Sequence, residues 1–225
     1  MTRPTFENEL KEIHLDILKM GAMAEEAIDK AILALKTKDV ELAQRIIDND
    51  DKIDELTEEI EKKCAIVIAT QQPLASDLRL IITAMRIATD IERIADHAED
   101  ISQITLKLAK EDYVKPLIDI PKMAEITRSM LKDALDSYVN SDIELAKSVV
   151  KRDDLVDTMY QNLIDELEQI MKENSAAVSQ CIQFLLVIKY LERIADHSTN
   201  IAEWVVYKIT GMHKHEWEGR EKETK

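Results

Sequence analysis

Four acidic pairs recur at four-residue spacing in this 225-residue chain: Asp50 with Asp54, Glu92 with Asp96, Asp153 with Asp157, and Glu192 with Asp196. Residues four apart share one face of an α-helix, so each pair sends two carboxylates the same way. Asp50 interrupts an apolar seam running through Ala43, Ile46, Ile53, Ile60, Cys64 and Val67, and Asp153 interrupts the seam Ala146, Val149, Val156, Leu163, Leu167 and Ile170. The pattern predicts that both halves turn carboxylates inward. An unpaired carboxylate in a dry bundle costs several kcal/mol, so these acids are solvated, protonated, paired with Arg93 and Arg193, or bound to a cation. A donor set of carboxylate oxygens suits hard ions such as magnesium, calcium, manganese or oxidised iron, and acids on two adjacent helices can bridge more than one ion.

Other chemistries have less material. His97 and His197 each follow an Asp directly, about 100° round the helix from it, and so leave the acidic face for a hydrogen-bonding role. The Glu-x-x-His of ferritin-like di-iron sites is missing from both acidic segments, and no serine or cysteine stands with a base as an activated nucleophile. The residue types argue for binding rather than turnover. Two other readings compete: a metal-dependent hydrolase or redox enzyme on the same carboxylates, and a purely structural bundle that dimerises.

Such acids need long helices to position them, and the composition supplies little else. The chain has three glycines and four prolines, where an average globular protein draws roughly 12% of its residues from these two types. Hairpins, a dinucleotide-binding unit and a glycine-rich phosphate loop are thereby excluded. Thirty basic against 45 acidic residues leave a formal charge of −15, which repels nucleic acid and anionic lipid. Cys64 and Cys181 lie far apart in apolar stretches and build neither a disulfide framework nor a cysteine zinc site, which favours a reducing compartment. The apolar runs are too short for a signal peptide or a transmembrane span, so the expected location is the cytoplasm.

Sparse Pro and Gly punctuation predicts six helices over 6–36, 40–71, 75–110, 120–139, 142–173 and 176–210. Asp39 is the expected cap of the second, and Ser141 with Glu144 has capping-box spacing for the fifth. The third helix carries a docking stripe through Leu80, Ala84, Ile87, Ile91, Ile94, Ala98 and Ile101. A second stripe begins apolar at Leu78, Ile81, Met85 and Ala88, then turns acidic at Glu92, Asp96, Glu99 and Asp100. The sixth helix repeats this design, its second stripe passing from Val178, Cys181, Leu185 and Ile188 into Glu192, Asp196, Asn200 and Glu203. Long helices with a second apolar stripe often pair, so a homodimer is expected.

The chain also repeats itself. Glu92-Arg-Ile-Ala-Asp-His97 recurs as Glu192-Arg-Ile-Ala-Asp-His197, 100 residues on, while Asp39-Val-Glu-Leu-Ala43 and Asp50-Asp51 recur 103 residues on at Asp142 and Asp153. The expected fold is all-α, two tandem, internally duplicated three-helix bundles: residues 1–110, a linker at 111–119, residues 120–210, and a charged tail at 211–225 without fixed structure.

Those duplicated segments, the turn Gln71-Gln72-Pro-Leu-Ala-Ser-Asp77-Leu-Arg79 and the ending Asn200-Ile-Ala-Glu-Trp-Val-Val-Tyr-Lys-Ile-Thr-Gly211 closely resemble the PhoU family of phosphate-uptake regulators, over residues 7 to 211. The resemblance implies a cytoplasmic negative regulator of phosphate uptake and of the phosphate-starvation response. It implies contact with the phosphate-specific ABC transporter and with a phosphate-sensing histidine kinase. It also implies multinuclear clusters of iron, zinc, manganese or magnesium. The matching positions are Asp50, Asp54, Glu92 and Asp96 in the first half and Asp153, Asp157, Glu192 and Asp196 in the second, with Asp100 and Asn200 on the next turn. Asn200 in place of an acid implies a weaker or different second cluster. Ala95 and Ala195 stand where many relatives have glycine, which bears on how closely the helices approach.

Overall fold

The computed structural model describes residues 3–223. Helices α1 (Arg3–Thr37), α2 (Val40–Gln71) and α3 (Ser76–Leu108) form the first three-helix bundle. Helices α4 (Asp119–Asn140), α5 (Ile143–Glu173) and α6 (Val178–Thr210) form the second. A turn of 3-10 helix at Ser175–Ala177 leads into α6, and a last helix, α7, spans Lys214–Glu223. Among the described residues no strand occurs, and no helix is long and apolar enough to cross a membrane.

Sequence dictates these boundaries locally. Asp39 accepts a hydrogen bond from the Leu42 amide at 2.9 Å and caps α2, as its repeat Asp142 does for α5 from Leu145 at 3.0 Å. The expected cap at Ser141 is thereby corrected. Ser141 ends α4 in the left-handed region (φ 52°), so the start of α5 falls one residue later. Gly211, at φ 75°, ends α6 where a side chain would be strained.

The two bundles share one continuous core, joined where α3 packs on α6. These helices run in opposite directions, since Arg86 meets Trp204 and His97 meets Tyr190. Ile81, Ala88, Cys181 and Ile188 are fully buried here, and Met85 and Leu185 pack against the core. The apolar start of each second stripe, the basis for expecting a dimer, is therefore used inside the chain. The linker is tied down by Gln180, which accepts from the Val114 amide at 2.6 Å and donates to Glu111 and the Asp112 carbonyl. The tail, expected to lack fixed structure, carries α7, anchored by the buried Trp217. An aromatic among charged residues is enough to dock a short segment when a crevice receives it.

Candidate metal centre

The α2–α3 hairpin turns through Gln72 to Ala75 and lays the middle of α2 against the middle of α3. Asp50, Asp54 and Asp96 then converge, each offering an oxygen, with these three atoms all within 4.8 Å of one another. Asp50 and Asp96 are half-buried and Asp54 is exposed, so the group forms a surface patch instead of the inward pair expected in the first half. Burial pushes the Asp50 carboxyl up to about 7, and the neighbouring Glu99, Asp96, Asp54 and Asp51 add to the rise. Asp54 is raised by burial and then by Asp96 and Asp51, and Glu92 by burial and then by Asp96. One guanidinium answers them on this face: Arg93 bonds Asp96 at 2.9 Å and lies 3.6 Å from Glu92.

The second patch is built from the same helix positions but balanced differently. Burial raises Asp153 to about 6, with Asp196 and Asp157 contributing, while Lys214 opposes the rise. Asp196 is raised by burial and Glu192 against the pull of Arg193 and Lys189. Lys189 bonds Glu192 at 2.6 Å, and Lys214 bonds Glu203 at 2.7 Å. Asp157 is exposed. Among the described residues, three carboxylates converge within 4.8 Å in the first half alone.

The two next-turn positions belong elsewhere. Asp100 sits 3.4 Å from His97, and the Asn200 amide donates to Asp90 at 3.3 Å, both on the flank of α3 and α6 where the bundles meet. Glu99, a step of three after Asp96, keeps the helix face that a step of four leaves and lies near enough to Asp50 to raise its carboxyl. That spacing was readable in the stripe itself. His97 stacks on Tyr190 at 5.4 Å and lies 5.9 Å from His197, so both histidines occupy the junction between bundles, off the acidic faces as expected.

The sequence matches the model for the PhoU domain twice, over residues 17–105 and 120–205. The chain belongs to the PhoU family. It is 45% identical over 212 residues to the phosphate-specific transport system accessory protein PhoU homolog of Clostridium acetobutylicum, covering 94% of this chain and 97% of that one. The homolog of Aquifex aeolicus is 40% identical over 185 residues, covering 82% and 84%. Crystal structures of PhoU from Pseudomonas aeruginosa (TM-score 0.90, 34% identity, 92% of this chain and 100% of that one) and of the phosphate transport system regulatory protein PhoU from Streptococcus pneumoniae (TM-score 0.86, 34% identity, 92% and 98%) share the fold. Within this PhoU chain the first patch has the donor chemistry a hard cation requires: three close carboxylates, of which Asp50 is raised by burial and by the acids around it.

Proposed function

We propose that this chain is an accessory regulator of phosphate-specific transport that acts by contact instead of turnover. In this reading it restrains phosphate uptake and the starvation response from the cytoplasm, as a metal-binding adaptor between the phosphate-specific ABC transporter and a phosphate-sensing histidine kinase. The observation that carries the phosphate role is the match over nearly the full length of both chains to a relative named as an accessory protein of phosphate-specific transport. The metal part is supported by the convergence of Asp50, Asp54 and Asp96, with Asp153, Asp157, Glu192 and Asp196 as a second, more fully paired set. A bound ion would supply positive charge on a face of a chain whose net charge is −15, and so a place where an anion or an acidic partner surface can land.

The test is complementation. A strain lacking the gene, grown on ample phosphate with a phosphate-starvation reporter, should return to the silent state with the wild-type chain and stay derepressed with an Asp50→Asn, Asp96→Asn double variant. Wild-type protein should pull down transporter and kinase subunits from phosphate-replete cells. Full silencing by the double variant removes the metal from the mechanism, and a reporter indifferent to the wild-type chain removes the phosphate role. Self-association, which would use surfaces other than Ile81, Ile188 and their neighbours, is measured by sedimentation.

A further inference from the structure

Between α1 and α2 the packing leaves a cavity of about 300 Å³. Met23, Ala27, Leu42, Ile46 and Ile53 give it an apolar lining, and Lys30, Arg45 and Lys52 stand among its polar residues. Ile46 and Ile53 belong to the buried core, while Met23, Ala27 and Leu42 are only partly covered. A second hollow, lined by Lys19, Leu56 and Glu59, shares Met23 and Lys52 with the first and so continues it along the same two helices. From Ile46 to Leu56 the groove follows α2 for about 15 Å.

The internal repeat shows what a filled version looks like. At a shift of 103 residues Ala27 becomes Met130, Asn49 becomes Arg152, Glu26 becomes Ser129 and Lys30 becomes Asp133. Lys38 and Ser141 fix that register, both at positive φ one residue before the caps Asp39 and Asp142. Met130 is fully buried, and Arg152 crosses from α5 to α4, bonding Ser129 at 2.9 Å and pairing with Asp133. The shorter Ala27 and Asn49 leave the same corner of the first half open. The second half also lacks the cations, since Ser148 and Leu155 stand at the positions of Arg45 and Lys52.

Lys30 pairs with Glu26 at 2.6 Å and Lys52 donates to Asn49, but among the described residues no carboxylate pairs with the Arg45 guanidinium. Three cations and two acids, Glu26 and Asp50, line the first hollow, which is therefore a basic spot on a chain of net charge −15. An apolar floor under a basic rim takes an apolar side chain with negative charge beside it. The volume is at the lower bound of the roughly 300–1,000 Å³ that encloses a small molecule, whereas two hollows in line match a helix with apolar residues three, four and seven apart.

We propose that the α1–α2 groove docks an acidic amphipathic helix of a partner protein, its apolar residues entering the two hollows and its carboxylates meeting Arg45, Lys30 and Lys52. The inference rests on the adaptor reading above for there being a protein partner, and not on the metal.

A phage-displayed library of peptides of about 16 residues is selected in EDTA on immobilised full-length wild type, and the enriched peptides are measured by fluorescence anisotropy. They should carry Leu, Ile, Met or Phe three and four residues apart among Asp and Glu, and bind less tightly as salt is raised. Arg45→Ser should weaken them about threefold, and either Ala27→Met or Lys30→Asp with Asn49→Arg, which copy the second half, about thirtyfold. Arg45→Ser alters an exposed side chain and reads the charge even if a groove-filling variant unfolds. Enriched peptides that are basic or neutral, or that bind all three variants as they bind wild type, overturn the proposal, as does a selection that enriches nothing. So does laurate binding lost in Ala27→Met with no peptide bound, which makes the occupant a small amphiphile, or a wild-type dimer turned monomer by Ala27→Met in sedimentation, which makes it a second copy. Peptide binding as expected from a wild-type chain that leaves the starvation reporter active refutes the phosphate role and keeps the groove as a peptide site.

Discussion

Nδ1 of His197 lies 2.9 Å from Oδ1 of Asp90, tying the last long helix of the second bundle to the third helix of the first. Asp90 is 9% exposed and also accepts from Asn200. One internal repeat on from Asp90 stands Tyr190, which stacks on His97, so the pseudo-symmetric junction uses a carboxylate on one side and a ring on the other. Asp90→Ala leaves the half-buried His197 and the exposed Asn200 without their shared acceptor, and the loss at His197 costs about 1–3 kcal/mol. At roughly 2–4 °C per kcal/mol for a chain of this size, calorimetry should show a clear fall in Tm, in one transition because both bundles share a core.

Acidity tunes the first patch in a predictable direction. Asp50 holds its proton up to about 7 in the native state, against about 4 for an ordinary carboxyl. The protonated form is therefore favoured by folding. Its contribution is complete below about pH 4 and is lost as pH climbs through about 7. In EDTA, the Tm of Asp50→Asn should rise relative to wild type between pH 4 and pH 8, the difference levelling off above pH 7. Asp153→Asn should behave alike over a window that closes near pH 6. A constant difference across the range would remove the raised proton affinity.

Cations should act in the opposite sense. At pH 7.5, manganese at a hundred times its dissociation constant should stabilise wild type by about 2.7 kcal/mol, hence by roughly 5–10 °C in a thermal melt. Asp50→Asn and Asp96→Asn should lose most of that gain, because each removes one of the three converging oxygens.

Backbone strain offers a check independent of charge. Ala75 and Ser141 sit at φ 40° and φ 52°, where a Cβ is unfavourable. Ala75→Gly and Ser141→Gly should each stabilise the chain, by about 0.5–1 kcal/mol in urea denaturation. Asp39→Ala and Asp142→Ala should each cost about 0.5–2 kcal/mol through the lost caps. Ser141→Ala should change little, since Ser141 ends α4 through its backbone amide and its side chain does not cap α5.

Much of this molecule was legible in order along the chain. Apolar steps of three and four residues set the seams of α2 and α5, Asp39 set the start of α2, the Glu-Arg-Ile-Ala-Asp-His repeat set the two bundles, and the Asp50-Asp51 repeat paired Asp50 with Asp153. These properties are local: periodicity reports the direction a side chain takes from its own helix axis, and a cap involves residues three apart. Tertiary structure alone decided that Ile81 and Ile188 are fully buried, that Asp90 receives His197, and that burial raises the carboxyls of Asp50 and Asp153. It also decided that Lys214, in a tail whose composition reads as solvated, pairs with Glu203 on α6. Burial and electrostatic field are sums over residues distant in sequence, and those sums exist once the helices have packed.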